Sequence, residues 1–451
     1  MATFDAVFVG SGINSLVGAA LLAREGWSVC VLERNDVAGG CIRTSTDLTL
    51  PGFTHELLAS WHPLFTGSAA YAELEAELTA RGVTYVNTDL PTGTAYPDGS
   101  AAFIMGSLEG NIAEFDRLAP GDGAAWERQF NEFMGNADLA FGILSTELWS
   151  TAGLTLGRKA LRRLGRRGLL EFAGNTLVTC RDWVSTTFES EAAHGVLAPW
   201  VLHTGLGPDQ ASSGFMTQVI GAALQLGGMP VPVGGGVRLV DALAGIVTDA
   251  GGEVRLSADV RQILVANGRA TGVRLTDGEV LAATRAVVAN VTPTQLYGSL
   301  LGGSDVPAAV TEAAARFRYG RAEMQIHLAL DELPRWKGGD SERLARCPIV
   351  HVTPVSTASL VPSTKRSEGC CRPRGRSSAD NQSRSTRRAR LMANRSSGSS
   401  CRSCRRAGSR AMQPGSSTRA TAPGRRSSAR HTQIGSSRAS ATRSRTWALR
   451  R

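Results

Sequence analysis

The chain is 451 residues long, 42% hydrophobic, and carries a formal net charge of +10. This length admits two or three ordinary domains around a substantial core, and the eight cysteines are scattered in a way that excludes a disulfide framework. The positive charge belongs to one end: residues 355–451 hold 23 Lys and Arg against Glu368 and Asp380, a net of +21, which leaves −11 on residues 1–354.

The first predicted unit is "FDAVFVGSGINSLVGAALLAREGWSVCVLERN". Residues 6–9 are a continuous apolar run suited to a strand buried on both faces, and it stops abruptly at Gly10-Ser11-Gly12. The Leu, Ala and Val spacing of residues 14–25 is helical, and Gly26 is placed to end the helix. A second buried strand over residues 28–32 closes a βαβ unit. In such a unit Gly10 permits the tight turn. Gly12 lets backbone approach a pyrophosphate at the helix N-terminus, where unpaired N–H groups and the helix dipole favour an anion. Ser15 stands where a third glycine is usual and is small enough for close packing. Glu33, 23 residues beyond Gly10 at the end of the second strand, is placed to accept hydrogen bonds from a ribose diol. The unit predicts a dinucleotide site. A glycine turn in an unrelated α/β protein is the disfavoured alternative.

The next stretch, "ERNDVAGGCIRT", adds a second glycine turn. Here the sequence resembles the FAD-dependent phytoene dehydrogenase-like oxidoreductases, a branch of the amine oxidase and carotenoid desaturase superfamily. Those proteins follow the ribose-binding Glu with an Arg and a Gly-Gly pair, matched by Glu33, Arg34, Gly39 and Gly40. The resemblance implies that the second turn offers backbone amides to the flavin-side phosphate and that Arg34 supplies charge. Two linked glycine turns favour FAD over a nicotinamide cofactor. Ile13 and Asn14, in the first helical turn, complete the residues carried over for cofactor binding at this end.

Residues 71–224 read as mainly helical, with loops at "LPTGTAYPDGSAAF" and "LAPGDGAAW". Together with residues 301–354 they are expected to form a substrate domain inserted into a discontinuous FAD domain of residues 1–70 and 225–300. The segment "GRKALRRLGRRGLL" carries six basic residues among leucines. A solvated helix face with snorkelling arginines is the favoured reading, and a peripheral contact with an anionic membrane the alternative. The histidines of residues 1–354 lack metal-ligand spacing, so no metal is expected. His203 is read as structural in preference to cavity-facing. The G-x-S-x-G elbow of serine hydrolases is absent.

From Gly227 the cofactor domain resumes. A Gly234–Gly236 turn leads into a helix through Ile246, closed by Gly251-Gly252. Three strands follow, joined by hairpins at Asn267-Gly268 and Asp277-Gly278, and residues 286–289 suit a strand returning to the parallel sheet. The resemblance implies a backbone contact with adenine near Val260. The expected fold is therefore α/β: a Rossmann-like parallel sheet with an antiparallel meander, plus a largely helical insert. No apolar run approaches the roughly 18 residues of a membrane span, and a cytoplasmic location is expected.

Periodicity stops after Pro354. Three readings compete for the tail. A basic nucleic-acid arm lacks interleaved aromatics, and Cys370-Cys371 with Cys401-x-x-Cys404 is badly spaced for zinc. The favoured reading is a reading-frame slip, because Arg, Ser, Ala and Gly are what GC-rich DNA encodes out of frame. Plausible codons for residues 355–371, read one base earlier, give "GLDGVSRAVNEAERGLL", and residues 391–400 give "PDGKSIFWIQ"; both look like ordinary globular sequence. Specific nucleic-acid binding is not inferred from the charge. The resemblance implies that relatives finish with more of the substrate domain and a glycine-rich segment closing over the flavin, and neither is found here. The expected function is oxidation of a hydrophobic isoprenoid or lipid-like molecule through FAD, with no acid/base pair nominated. An amine oxidase-like or ketolase-like enzyme, or a truncated non-catalytic flavin-binding protein, is the alternative.

Overall fold

The computed structural model describes residues 1–302, 306–320 and 322–353; the 355–451 tail, with its cysteine pairs, lies outside them. The opening unit forms as its pattern predicts: strand β1 (Ala2–Val9), helix α1 (Ile13–Arg24) and strand β2 (Val29–Leu32). β1 and β2 run parallel, Ala6 facing Val29 and Val9 facing Leu32. Both faces are covered, which is why polar residues are excluded. Ala6, Phe8, Val29 and Val31 pack on Leu16, Ala19 and Ala20 of α1 and on Leu239 and Leu243 of the helix Val237–Asp249. The alternate residues Val7, Val9, Cys30 and Leu32 pack on Val260, Ile263, Val273 and Leu281.

The short strands that follow are β3 (Thr44–Ser45), β4 (His55–Glu56), β5 (Tyr85–Val86), β6 (Thr92–Ala95), β7 (Ala101–Ile104) and β8 (Val231–Pro232). Beyond the helix Val237–Asp249 come β9 (Glu253–Arg255), β10 (Val260–Ala266), β11 (Arg269–Leu275) and β12 (Val280–Ala289), and later β13 (Ile349–Val352). The main sheet has the order β10-β11-β12-β1-β2-β9. Its four strands β12, β1, β2 and β9 are parallel, while β10 and β11 make the antiparallel meander. The two-residue hairpin at Asn267-Gly268 has positive φ at both positions (53° and 72°), the geometry that suits the right-handed twist of the flanking strands. One difference from expectation concerns economy. The third meander strand and the returning strand are the same ten residues, β12, whose first part pairs antiparallel with β11 while Leu281 to Ala289 pair parallel with β1 across one irregularity.

A second difference lies in "LPTGTAYPDGSAAF", read as a loop. It holds a hairpin, β6 and β7, with Thr92 opposite Ile104 and Ala95 opposite Ala101. The Gly, Pro and Asp of the connecting turn mask two short buried strands whose third partner, β13, comes from more than 250 residues away and pairs parallel with β6. Residues 108–227 are chiefly helical. Their core joins Phe115, Trp126, Trp183, Val196 and Trp200, with Phe115 stacked on Trp126 at 4.9 Å.

Candidate functional site

The site is built where β1 and β2 end. Gly10 leaves β1 with φ +90°, and its N–H donates to Leu32 O at 2.8 Å, so the turn is tied to the end of β2. Gly12 is the N-cap residue of α1 and supplies no side-chain cap. Ile13, Asn14 and Ser15 form the first helical turn, whose N–H groups have no acceptor within the helix. Ile13 is half-buried, Asn14 exposed and Ser15 buried.

The second glycine turn packs directly on the first. Gly39 N–H donates to Ser11 O at 3.2 Å and to Ser11 Oγ at 3.1 Å, and Gly12 and Gly39 form a parallel bridge. A Cβ on Gly40 would stand 3.0 Å from the Cα of Gly12, so the two turns touch backbone to backbone. Only glycine fits there, since Gly40 also has φ +61°. The structure thus joins Gly10, Gly12, Gly39 and Gly40 in one cradle.

Glu33 sits beside it, 5% exposed. One carboxylate oxygen accepts from Ser11 N–H at 3.0 Å and Ser11 Oγ–H at 2.7 Å; the other accepts from Asn35 N–H at 3.0 Å and Asn35 Nδ2 at 2.6 Å. Burial pushes this carboxyl upward, but the hydrogen bonds from Ser11 and Asn35 together outweigh it and hold the group below the usual glutamate value. A fixed anion at a strand end is what a ribose diol needs. Val260 is buried at the start of β10. The chain reaches it along Glu33: Ala258 N–H donates to Glu33 O and Ser257 N–H to Asn35 O, each at 2.8 Å. Arg34 is exposed, next in the chain to the buried Glu33.

Four residues of this neighbourhood escaped the sequence reading. Ser11 and Asn35 orient Glu33, and both were visible as small polar residues inside the motif. Asn290, just beyond β12, donates its N–H to Val9 O at 3.0 Å, and its Nδ2 would lie 2.7 Å from a Cβ on Gly12. Its signal was weak, a polar residue ending an apolar strand. Arg43, three residues after Gly40, has a buried Nε without a partner among the described residues, and Ser15 Oγ is likewise buried and unsatisfied. An unpaired donor at each glycine turn, beside two backbone cradles and a fixed carboxylate, fits a phosphate-bearing dinucleotide.

His203 falls elsewhere. Its Nε2 lies 3.3 Å from Nε2 of His351 on β13, and its ring stacks on Trp200 at 4.6 Å. Burial lowers the His203 pKa to about 4 and, aided by its neighbour His203, that of His351 to about 3. The described residues contain no cluster of three or more His, Cys, Asp or Glu able to hold a metal.

A parallel sheet with paired glycine turns and an acidic strand end defines a dinucleotide-binding α/β protein. The chain belongs to the flavin containing amine oxidoreductase family, whose model matches residues 16–361; the family's cofactor is FAD. Among curated relatives, it is 25% identical to one of the subunits of limonene dehydrogenase from Castellaniella defragrans over 78% of this chain and 64% of that one. It is 27% identical to the neurosporene-forming phytoene desaturase of Cereibacter sphaeroides over 66% and 54%. It is 26% identical to 4,4'-diapolycopene oxygenase of a Methylomonas species over 72% and 63%. The chain therefore spans less than two thirds of the length of each of these relatives.

Proposed function

We propose that this chain is an FAD-dependent oxidoreductase acting on a hydrophobic, isoprenoid- or lipid-like molecule. The observation that carries the cofactor half is the contact of the two glycine turns, Gly40 against Gly12, beside the hydrogen-bonded Glu33. FAD, when bound, supplies hydride chemistry that no side chain can perform. The protein's share is to bind and orient. Glu33 would hold the ribose diol, the first turn of α1 the pyrophosphate, Arg43 and the Gly39-Gly40 turn the flavin-side phosphate, and the start of β10 the adenine edge. Arg34 keeps its proposed charge role at the rim.

The substrate half rests on two supports. The relatives above are named for limonene, phytoene and diapolycopene. The helical region also holds a cavity of about 300 Å³, in whose wall Phe133, Phe172, Trp183 and Phe215 stand among polar side chains such as Gln129, Glu132, Asn136 and Gln218. The family description itself favours a second reading, an amine substrate.

One experiment separates them. The chain is loaded with FAD under anaerobic conditions and mixed in detergent with phytoene or limonene, or in buffer with putrescine or cyclohexylamine. Loss of the oxidised flavin absorbance with the hydrocarbon and not the amines is expected; reduction by an amine alone overturns the substrate assignment. Flavin retained on gel filtration, measured separately, tests the cofactor half.

A further inference from the structure

The helices Ala137–Ser145 and Thr151–Leu177 form an antiparallel hairpin. Their inner faces are tied by charge: Asp138 accepts from Lys159 at 2.8 Å and from Arg163 at 2.7 Å, and Arg163 also reaches Gly135 O. A Cβ on Gly142 would meet Leu156 at 2.8 Å, so the hairpin is closely packed inside.

Its outer side is unusual for a surface. Phe141 and Leu144 on the first helix are 47% and 50% exposed, and Leu148 in the turn is 51% exposed. Trp149, in the turn, is 97% exposed, and Leu154 and Leu161 on the second helix are 64% and 42% exposed. A fully exposed tryptophan among exposed leucines is costly in water and marks an interaction surface. The same side carries cations. Arg158 and Arg162 continue the row of Leu154 at four-residue spacing, and both are exposed, as is Arg166 beyond the break at Gly165. None of the three has an acidic partner within 4.0 Å among the described residues. The nearby acids are engaged: Glu171 pairs with Arg167 at 2.8 Å, and Glu147 accepts from Trp149 N–H at 3.2 Å.

The patch is continuous with the interior. Exposed Phe141 lies 6.3 Å from Phe133, which lies 6.4 Å from Phe215, and both inner rings line the cavity of the helical region.

We propose that this hairpin is a docking surface for an anionic lipid bilayer, with Trp149 and the leucines seated at the headgroup boundary and Arg158, Arg162 and Arg166 against lipid phosphates. Charge complementarity selects this occupant: an apolar tip bordered by unpaired arginines matches an anionic interface. Docking would bring the Phe141–Phe133–Phe215 path to the bilayer, where an apolar molecule is dissolved. The inference does not depend on the oxidation reading. A chain that docks and oxidises nothing leaves it standing and removes the substrate assignment alone.

The test uses the full chain in flotation with vesicles of phosphatidylcholine, alone or mixed with phosphatidylglycerol. Tryptophan quenching by brominated lipid is the second readout. Wild type should float with the mixed vesicles and be quenched. Arg158→Glu with Arg162→Glu should lower the partition coefficient about tenfold or more. Trp149→Ser with Leu154→Ser should lower it similarly and remove most of the quenching. These positions are exposed, so unchanged circular dichroism melting is expected and shows the variants folded. Vesicle binding and quenching equal to wild type in both variants would overturn the proposal and assign any binding to the basic 355–451 segment. A shift from dimer to monomer without change in lipid binding would also overturn it, and assign the patch to a second copy of the chain.

Discussion

The β1-α1-β2 unit and the helical region of residues 108–227 solve the same burial problem and leave opposite traces in sequence. The first buries both faces of a parallel sheet around a ligand cradle, so that each constraint falls on a few fixed positions: Gly10 where the chain turns tightly, Gly40 against the Cα of Gly12, Glu33 at the strand end. The second is held by aromatic stacking such as Phe115 on Trp126, which many large side chains would satisfy. A ligand of fixed shape dictates residues, whereas a core dictates only volume and polarity. Damage to the first region should therefore be read in flavin binding, and damage to the second in stability.

That contrast can be broken, and the largest effect is expected in the helical core. Trp126 is 3% exposed, stacks on Phe115 and donates from Nε1 to Gln225 Oε1 at 2.8 Å. Trp126→Ala should cost about 3–5 kcal/mol, read by urea denaturation. Any surviving folded fraction should keep its FAD affinity; lost affinity in that fraction would show the two regions to be coupled.

Next comes acid sensitivity. His203 and His351 are held neutral by burial, with pKa values of about 4 and about 3, whereas the unfolded chain takes up protons at about 6.5. Below that value the unfolded state binds more protons than the native one, so stability is complete at neutral pH and falls from about pH 6.5 towards about pH 4. The loss is on the order of 3 kcal/mol from His203 alone. His203→Gln should flatten this acid limb in thermal melts recorded across that window. An unaltered limb would place the acid sensitivity in other groups.

A smaller effect sharpens the comparison on the cofactor side. Asn267 has φ 53° in the β10–β11 hairpin, where asparagine is tolerated and a β-branched residue is not. Asn267→Val should destabilise by about 1–2 kcal/mol without changing FAD affinity, because it damages the sheet away from the cradle. A drop in affinity would mean that the meander is mechanically joined to the glycine turns.

Much of the cofactor region was legible for the same reason. Residues 6–9 and 28–32 read as buried strands, Gly26 as a helix stop, and Asn267-Gly268 and Asp277-Gly278 as turns, because local chemistry alone decides each of them. What was not legible depended on partners distant in sequence. β6 and β7 looked like loop until β13 supplied the third strand, and the His203–His351 contact joins residues 148 apart. The outward face of residues 137–164 was also hidden. Charge spacing showed the arginines, but only the fold shows Lys159 and Arg163 turned in to Asp138 while Trp149 and Leu154 face out. In the cradle, the glycines and Glu33 were visible, whereas the part of Asn290 required knowing that β12 ends beside β1.

The central claim is that the Gly10-to-Gly40 cradle with Glu33 binds FAD, and an FAD titration tests it most directly. Apoprotein of wild type and Glu33→Ala would be titrated by quenching of flavin fluorescence, with circular dichroism confirming equal folding. Removing a charged acceptor should weaken binding by about 1.5–3 kcal/mol, a shift of roughly tenfold to more than a hundredfold in Kd. Saturable binding by wild type and this shift in the variant are the predicted result. Equal affinity in the two proteins, or folded wild type that takes up no FAD, would contradict the account.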